Sequence, residues 1–362
     1  MKYDAIIVGG GLAGLSLSIL MAKEGKEVLL IEKSSYPKHK VCGEYISNES
    51  LPFLNHIGVP IQDLNLPSID EFVLTSQYGL SSTCRLSPGG FGISRYKLDE
   101  MLAQIAIREG VKVMQDTKVV DISSEGSLKV VKVSNGDFFQ SELVVGAFGR
   151  ISGLINTQSA PEVKFIGVKY HLDAGPEKNV IEIHNFKGGY CGISAIEEGK
   201  YCLCYLAKAS TLRLVDNDID RLESEVLSAN SYLAQRLVAN KLIPRVVTSQ
   251  ISFGVSKTND EYLTIGDAAG FIPPITGNGM SLAFRGAKNT FDMIKKYPIK
   301  ALNQKSQAFT SSYLKGRINQ GIFLQDILFI DNDMLNKAIM YGLHYIPGAL
   351  TMMTKKAVGQ EF

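Results

Sequence analysis

The chain opens with the stretch that decides its fold, Tyr3-Asp4-Ala5-Ile6-Ile7-Val8, which runs directly into Gly9-Gly10-Gly11-Leu12-Ala13-Gly14. A second apolar run, Val28–Ile31, follows and ends on the acidic residue Glu32. An apolar run, a glycine turn, a helix and a second apolar run predict a strand–helix–strand unit. With GxGxxG at its turn and an acid about twenty residues further on, this unit has the pattern of a dinucleotide-binding βαβ fold.

Each residue type in this unit has its own physical role. Gly9 permits the tight turn, Gly11 lets the backbone approach a pyrophosphate, and Gly14 lets the helix pack closely on the strand. The helix N-terminus presents unpaired N–H groups and a partial positive charge to that diphosphate. Glu32 is placed to accept a hydrogen bond from a ribose hydroxyl. The residues predicted to bind the dinucleotide are Gly9, Gly11, Leu12, Ala13, Gly14, Glu32 and Lys33.

The composition excludes several classes of protein. Of the 362 residues, 45% are apolar and 20% are charged, and the net charge of +2 gives no reason to expect a nucleic-acid partner. No apolar run has the length of a membrane span and no signal peptide precedes the first strand, so we expect a cytoplasmic protein. The odd number of cysteines suits a reducing compartment. Cys202-x-Cys204 has no neighbouring ligand, and we predict core packing and no metal there.

The pattern along the chain predicts an α/β protein in two parts, followed by helices. Residues 143–147 are wholly apolar, as in a strand in the middle of a parallel sheet. A polar loop after Glu32 leads into a helix predicted to end near Gly58. From about residue 163 to residue 207, longer strands with polar turns indicate a β-rich part. We therefore predict a Rossmann-like, doubly wound parallel sheet, a β-sheet substrate domain and a C-terminal helical region.

A second glycine-rich segment lies far away in the sequence. Ile265-Gly266-Asp267-Ala268-Ala269-Gly270 follows a short apolar run, and Gly277-Asn278-Gly279-Met280 precedes a helix with one apolar face. This arrangement brings a carboxylate and bare backbone N–H groups close to a ligand. Asp267 is the candidate acceptor for a ribityl hydroxyl, and the helix start is the candidate site for the negative charge of a reduced isoalloxazine. In the alternative interpretation, Asp267 is a helix cap and the glycines only form turns.

Together these segments resemble the FAD-dependent enzymes of the p-hydroxybenzoate hydroxylase type, and more closely their geranylgeranyl reductase-related branch. The resemblance extends from residue 2 to about residue 288 and includes Ser94-Arg95-Tyr96-Lys97-Leu98-Asp99. It implies bound FAD, with Arg95 near the flavin and the backbone near Val119 at the adenine. It also implies cofactor contacts from Gly266, Asp267, Gly277, Asn278, Gly279 and Met280. Without the resemblance, Arg95 would be read as a solvated residue paired with Asp99.

The resemblance implies a discontinuous FAD-binding domain. Its predicted segments are residues 1–70, 93–155 and 256–298, the β-rich substrate domain takes residues 71–92 and 156–255, and the helical region takes residues 299–362. Apolar residues of the helical region, among them Ile322, Phe323, Met334 and Leu335, are interpreted first as core packing, and three other interpretations stay open. They cap the substrate, form a dimer face, or make a peripheral contact with a membrane surface.

Two residues are candidates for the catalytic acid. The loop Pro37-Lys38-His39-Lys40-Val41-Cys42-Gly43 is similar to a loop that, in the reductase branch, places a cysteine beside the flavin. Cys42 is therefore a candidate proton donor and cofactor contact, with the buried small hydrophobe as the alternative. Lys40 is a candidate contact for the cofactor phosphates, with a solvated lysine as the alternative. Tyr190 is the second candidate acid or cavity wall, with cross-strand packing as the alternative.

Two departures from the family pattern bear on the reaction. Phe148 stands where the hydroxylases carry an aspartate that is tied to FAD and NAD(P)H binding, and no second GxGxxG follows a strand. We therefore expect NAD(P)H or another reductant, including an electron-donor protein, to supply electrons, although the chain has no separate domain predicted to bind NAD(P)H. Arg150 is either a phosphate contact or a surface arginine. The chain contains no tryptophan, which disfavours halogenation and removes the tryptophan that the reductases carry near the position of Tyr190.

Two reactions fit a single FAD beneath a β-sheet lid. The first choice from the sequence is a monooxygenase that hydroxylates a lipophilic aromatic or polyketide-like molecule through a flavin C4a-hydroperoxide. The alternative is a reductase of carbon–carbon double bonds in an isoprenoid-type or lipid substrate, and a third interpretation is a non-catalytic electron carrier. The segment around Tyr190 contains no His, Asp or Glu, which predicts an apolar cavity and a small lipophilic substrate.

Overall fold

A computed structural model describes residues 2–150, 164–256, 261–330, 332–357 and 362. The strands are, in chain order, β1 (Lys2–Val8), β2 (Val28–Ile31), β3 (Tyr45–Ser47), β4 (Ser68–Thr75), β5 (Ser81–Gly92), β6 (Lys112–Met114), β7 (Val119–Glu125), β8 (Leu128–Val133), β9 (Phe138–Gly146), β10 (Phe165–Leu172), β11 (Val180–Phe186), β12 (Gly189–Ala195), β13 (Tyr201–Lys208), β14 (Val246–Ile251), β15 (Gly254–Val255), β16 (Leu263–Thr264) and β17 (Gly270–Phe271). The helices are α1 (Leu12–Lys23), α2 (Leu51–His56), α3 (Arg95–Arg108), α4 (Ala209–Arg213), α5 (Ile219–Arg221), α6 (Ser231–Leu237), α7 (Gly279–Lys296), α8 (Ile299–Phe309), α9 (Lys315–Leu328), α10 (Asp333–Tyr345) and α11 (Ala349–Ala357).

The first sheet is parallel at its centre. Its strands lie in the order β6-β2-β1-β9-β8-β7, and β16 pairs with the end of β9. β1 is parallel to both of its neighbours, with Ile6 opposite Leu29 on one side and Val144 on the other. β7, β8 and β9 form an antiparallel meander at one side of this core. The predicted α/β fold with a parallel sheet of apolar central strands is confirmed.

Helix α1 is buried along almost its whole length. It lies against the first sheet and against helices α3 and α7, so residues from Leu12 to Met21 are all buried. A helix that is apolar all round is stable when its neighbours cover every side. Ile7 and Leu30 of the sheet belong to the same core cluster as this helix. The packing holds the N-terminus of α1 directly behind the glycine turn.

The second sheet is mostly antiparallel and has the strand order β14-β10-β13-β12-β11-β4-β5-β3. Every residue of β10 is buried, because both faces of this strand are covered. One face, which includes Tyr170, packs against α6 and the segment before it. The other face carries Lys169 and His171, whose side chains contact Glu44 of the N-terminal part. Since side chains alternate along a strand, β10 directs its charged residues towards the first part of the molecule.

The C-terminal helices pack against the second sheet and against a separate two-stranded sheet formed by β15 and β17. α9 contacts β15 and β17, and α11 contacts β5. Several large apolar side chains on and between these helices are exposed, namely Phe323, Met334, Leu335, Tyr341, Tyr345, Ile346 and Met352. Among the described ranges, no helix combines the length and the apolarity that crossing a membrane requires.

The predicted domain bounds stay predictions, although the structure places their segments. β5, from the predicted substrate segment 71–92, lies in the second sheet, and β3, from the predicted segment 1–70, pairs with it. The bound between residues 155 and 156 lies outside the described residues. Instead of one helix ending near Gly58, the structure has β3 followed by the short helix α2. The reason is tertiary, because Ile46 pairs with Phe91 across the sheet.

Candidate cofactor site and substrate cavity

A cavity of about 630 Å³ lies between the two sheets. Its wall combines segments that are far apart in sequence: the turn from β1 to α1, the loop between β2 and β3, the residues before and after the start of α7, and strands β10, β12 and β13. Helices α9 and α11 contribute Leu324, Leu328 and Met353 at the wall. The volume lies within the ~300–1,000 Å³ that is usual for ligand and cofactor sites.

Most of the residues predicted from the sequence line this cavity. Those on its wall are Gly11, Leu12, Ala13, Glu32, Lys33, Lys40, Cys42, Arg95, Tyr190, Gly266, Asp267, Gly277, Asn278, Gly279 and Met280. Gly9 and Gly14 lie behind the wall, where they shape the turn. Val119, predicted near the adenine, is a buried residue of β7 and is not part of the described wall.

The glycines of the turn are needed for two different reasons, close packing at Gly9 and Gly14 and an open side towards the cavity at Gly11. Gly9 has φ +109°, and a Cβ there would lie 2.5 Å from the carbonyl oxygen of Ala147. A Cβ on Gly14 would overlap the carbonyl oxygen of Gly9, so both positions need glycine for packing. A Cβ on Gly11 would meet no protein atom within 4 Å, because this residue faces the cavity at the N-terminus of α1. The open side of Gly11 is a cradle that fits a diphosphate.

Glu32 presents an ionised carboxylate at the end of β2. Its oxygens accept hydrogen bonds from the backbone N–H of Gly10 and from Lys38 Nζ, each at 2.7 Å. Burial by itself would raise the pKa of Glu32, but the hydrogen bond and charge of Lys38 outweigh it and lower the pKa. Lys38 was not among the predicted residues, although it lies in the same loop as Lys40 and Cys42. The side chain of Glu32 thus keeps the charge that ribose recognition needs.

Arg95, Lys40 and Asp99 form a buried ionic group on the wall. Asp99 accepts two hydrogen bonds from Arg95, at 2.8 and 2.9 Å, and one from Lys40 at 2.7 Å. Burial would raise the pKa of Asp99, but Arg95 and Lys40 lower it. The ion pair that the sequence offered as the alternative for Arg95 is therefore present, and Arg95 lines the cavity as well. Two cations against one carboxylate leave this group of three residues with a net positive charge.

The second glycine-rich segment reaches the same cavity from the other end of the chain. Gly266 and Gly277 have φ values of +59° and +67°, which glycine adopts without strain. Asp267 lies in a 3₁₀ turn on the wall, and α7 begins after Asn278, so the aspartate does not occupy the cap of that helix. Burial raises the pKa of Asp267 to about 6, although the cations Arg95 and Arg150 oppose the shift.

Phe148 and Arg150, which depart from the family pattern, both lie on the cavity wall. Phe148 lines the cavity and its ring meets Tyr262 edge-on at 6.0 Å. Arg150 donates hydrogen bonds to the backbone oxygens of Ser252 and Gln250, at 3.1 and 2.6 Å. The Arg150 guanidinium is thus largely committed to the segment after β14, although the residue also lies on the wall. The neighbouring Ile151 and Ser152 lie outside the described residues.

Cys42 and Tyr190 both lie on the wall. The backbone N–H of Glu44 donates to Cys42 Sγ at 3.5 Å, and burial raises the pKa of the Cys42 thiol. Tyr190 is buried against Phe329, with ring centroids 5.7 Å apart, and burial raises its pKa well above the usual range. Both groups therefore keep their protons at neutral pH. The Cys42 thiol, whose sulfur already accepts a hydrogen bond, has its own proton available to a molecule in the cavity.

A buried polar group behind this wall was missed by the sequence analysis. The carboxylate of Glu44 pairs with Lys169 Nζ and lies 2.7 Å from His171 Nε2, and Glu44 and Lys169 have no exposed side-chain surface. Glu44, His171 and Cys202 bring three donor atoms within 4.8 Å of one another. The ammonium group of Lys169 already supplies the positive charge that this carboxylate needs, so we assign no metal there. The signal in the sequence was Lys169-x-His171 on a strand that is otherwise apolar.

Comparison with known proteins agrees with this geometry. Residues 2–162 match the family model described as FAD binding domain. Conditioned medium factor receptor 1 of Dictyostelium discoideum is 26% identical over 317 residues, which cover 79% of this chain and 62% of that protein. Digeranylgeranylglycerophospholipid reductase of Methanocaldococcus jannaschii is 25% identical over 295 residues, which cover 78% of this chain and 74% of the reductase.

Solved structures share the fold over nearly the whole chain. The flavin-dependent brominase Bmp2 superposes with a TM-score of 0.76 at 17% identity, covering 99% of this chain and 93% of the brominase. PqsL of Pseudomonas aeruginosa, described as a probable FAD-dependent monooxygenase, gives a TM-score of 0.72 at 17% identity, covering 94% of this chain and all of PqsL. At these identities the likeness concerns the fold.

The chain is an FAD-dependent oxidoreductase. Its N-terminal part matches an FAD-binding domain, and the glycine cradle at Gly11 fits that cofactor.

Proposed function

We propose that the chain reduces a carbon–carbon double bond in a small lipophilic molecule. The observation that carries this proposal is the Cys42 thiol on the cavity wall, where burial raises its pKa and keeps it protonated. Saturation of a double bond requires a hydride equivalent and a proton. FAD supplies the hydride equivalent when it is bound and reduced. The Cys42 thiol donates the proton, and its thiolate is left on the wall.

The residues assigned to the cofactor divide among its parts. Gly11 and the N-terminus of α1 take the diphosphate, and Glu32 takes the ribose. Asp267 accepts a hydrogen bond from a ribityl hydroxyl. The cations Arg95 and Lys40 favour the form of the cofactor that carries negative charge.

The remaining wall supports a lipophilic substrate. Away from the cofactor residues it is lined by apolar side chains, among them Phe72, Leu86, Ile181, Ile183, Leu324, Leu328 and Met353. Removing apolar surface from water is the main source of affinity in a wall of this kind. The relatives include a reductase named for an isoprenoid phospholipid, which is consistent with that substrate class.

Hydroxylation, the first choice from the sequence, is the second candidate here. It is favoured by the absence of tryptophan from the segment around Tyr190, where the reductases carry one. We rank hydroxylation second because it gives the protonated Cys42 thiol no role as a proton donor. A non-catalytic electron carrier has no use for the apolar wall that α9 and α11 add to the cavity. Electrons come from NAD(P)H or another reductant in either reaction.

Single turnover with a defined probe tests the proposal. FAD-loaded protein, reduced with dithionite under anaerobic conditions, is mixed with geranylgeraniol, and flavin absorbance and product mass are followed. We expect the flavin to be reoxidised and the product to gain two hydrogen atoms. Cys42→Ser should slow the reaction at least ~10-fold, a barrier increase of about 1.4 kcal/mol or more, because serine is a much weaker acid. Cys84→Ser, at a half-buried cysteine outside the described wall, is the matched control.

The opposite outcome is equally specific. A product that gains one oxygen atom, and that forms only after O₂ is admitted, would replace reduction with hydroxylation. Loss of activity in Cys84→Ser as well as Cys42→Ser would mean that the thiol substitution acts through stability.

A further inference from the structure

The structure offers a path for the proton that the proposed reaction consumes at Cys42. After each turnover the Cys42 thiolate must recover a proton in a cavity that FAD and substrate fill. Polar groups from the loop of residues 39–44 and from β10 extend from the molecular surface to the wall beside Cys42. The observed contacts join His39 to His171 and His171 to the Glu44 carboxylate, and the backbone of Glu44 contacts Cys42.

The outer end of the path is His39. Its ring stacks on the ring of Tyr96, with centroids 4.6 Å apart, and Tyr96 is exposed to solvent. His39 itself is only partly buried, and it also borders the cavity. Its Nδ1 atom is buried and has no hydrogen-bond partner within the described part of the chain. A buried polar atom without a partner needs an explanation, and proton exchange with a neighbouring group supplies one.

The middle of the path is His171. Its ring meets the ring of His39 edge-on, with centroids 5.1 Å apart, and only 4% of the residue is exposed. Nε2 of His171 lies 2.7 Å from a carboxylate oxygen of Glu44. Because the carboxylate takes the Nε2 side as acceptor, the other ring nitrogen is the one that exchanges a proton. Glu44 thereby orients His171 and joins it to the inner end of the path.

The inner end of the path is Glu44 beside Cys42. The carboxylate is held by Lys169 and by the backbone N–H of Arg95 at 2.7 Å, and the residue borders the cavity. Burial would raise the pKa of Glu44, but His171 and Lys169 lower it, so the group is a carboxylate at rest. The backbone of Glu44 in turn donates to Cys42 Sγ. The carboxylate and the thiol thus belong to residues two positions apart in one loop, joined by a hydrogen bond from the Glu44 backbone.

We propose that His39 and His171 form the route by which protons from solvent reach the Cys42 side of the cavity. One proton per turnover passes from water to His39, then to His171, and from the His171–Glu44 pair to the Cys42 thiolate. No electron moves in these steps, and each group returns to its resting protonation state. The need for a proton at Cys42 rests on the proposed reduction. The choice of His39 and His171 as its route rests on the contacts alone.

The charged surroundings set the direction of its pH dependence. The groups that face His39 are Lys169 and His171 of β10, Glu44 of its own loop, Glu197 from the turn before β13, and Tyr96 of α3. Burial first, and then the charges of Lys169 and His171, lower the pKa of His39 below its ordinary 6.5. His39 is therefore neutral at rest and takes up a proton more readily as the pH falls. Proton delivery should accelerate as the pH decreases below 6.5.

The test uses two readouts on dithionite-reduced, FAD-loaded protein. One is reoxidation by geranylgeraniol without O₂, and the other is reoxidation by O₂ without geranylgeraniol, which also consumes protons in the cavity. His39→Phe retains an aromatic ring against Tyr96 but carries no proton, and His171→Gln removes the second imidazole. We expect both variants to be at least ~5-fold slower in both readouts and to lose the acceleration below pH 6.5. Added imidazole should restore His39→Phe, and the exposed His56→Phe is the control.

The outcomes separate the two proposals. Absence of a reaction with geranylgeraniol, together with slow and imidazole-rescued reoxidation by O₂ in His39→Phe, would reject alkene reduction and retain the proton route. Wild-type rates and an unchanged pH profile in both variants would overturn the route. Slow variants that imidazole does not rescue, and that keep the wild-type pH profile, would also overturn it, since a purely structural effect behaves in that way.

Discussion

At the scale of single residues, two glycines of the same turn serve different purposes, Gly14 in packing and Gly11 at the cavity. A side chain on Gly14 overlaps the Gly9 carbonyl, whereas a side chain on Gly11 points into the cavity without touching protein. We therefore expect Gly14→Val to lower both the free energy of unfolding, by about 3 kcal/mol or more, and FAD affinity. Gly11→Val should leave the unfolding of the apoprotein unchanged and weaken FAD binding at least ~10-fold. Thermal unfolding and FAD titration measure the two effects.

The control for this pair is a glycine without either constraint. Gly316 lies in α9, and a Cβ there meets no atom within 4 Å. Gly316→Ala should stabilise the protein by up to about 1 kcal/mol, because alanine favours the helix, and FAD affinity should stay constant. Equal losses of stability in Gly11→Val and Gly14→Val would contradict the assignment of a cofactor-binding role to Gly11 and a packing role to Gly14.

Asp267 predicts a pH dependence of cofactor binding. Its pKa of about 6 lies above the ordinary 3.8, so below pH 6 the carboxyl is protonated and is a weaker acceptor for a ribityl hydroxyl. FAD affinity should therefore decrease as the pH falls through about 6. In Asp267→Asn, affinity should be lower at pH 8 and this step should be absent. A step that persists in the variant would assign it to another group.

At the scale of elements, the C-terminal helices divide their side chains between two environments. On α11, Met353 borders the cavity, whereas the adjacent Met352 is 63% exposed. Ile346, between α10 and α11, is 61% exposed. Peripheral contact with a membrane surface remains a proposal for this apolar face, and it would place the substrate wall close to a lipid source.

A vesicle flotation assay tests that contact. We expect part of the protein to float with phosphatidylglycerol vesicles, and the double variant Ile346→Glu/Met352→Glu to stay at the bottom, since charges oppose insertion at the interface. Val238→Glu, at an exposed apolar residue after α6, is the matched control and should still float. Wild-type protein that does not float would leave the cap or the dimer face as the interpretation of these helices.

The element that sequence reasoning served least well is β10. Its residues read as a buried strand of a β-rich part, yet Lys169 and His171 lie on the face that meets Glu44. Strand alternation places both residues on one side but does not name the partner on that side. Only the packing of β10 against the loop of residues 39–44 makes them a buried polar group.

At the scale of the whole molecule, the cofactor site connects the two ends of the chain. Gly11 follows the first strand, Asp267 lies more than 250 residues later, and Tyr190 belongs to the second sheet. A ligand that contacts all three regions stabilises them together. FAD at about 100 times its dissociation constant should raise the free energy of unfolding by about 2.7 kcal/mol, with both sheets unfolding in one transition.

Calorimetry with and without FAD measures this effect. FMN, which lacks the adenosine monophosphate half, should shift the transition less than FAD, because it cannot reach Glu32. Two transitions, of which FAD shifts only one, would show that the sheets unfold independently. In that case the ion pair between Glu44 and Lys169, which joins the loop of residues 39–44 to β10, would not be enough to make the two sheets unfold together.

The sequence by itself determined the dinucleotide-binding unit, the parallel sheet and the class of cofactor. These follow from short-range patterns, because a glycine turn, an apolar strand and an N-terminal helix end each have a local physical cause. The tertiary structure alone decided that Arg95 both pairs with Asp99 and borders the cavity, that Val119 is buried in β7 and is not part of the described wall, and that Glu44 meets His171. Such contacts depend on how distant segments pack, and no local pattern specifies which buried charge will neutralise another.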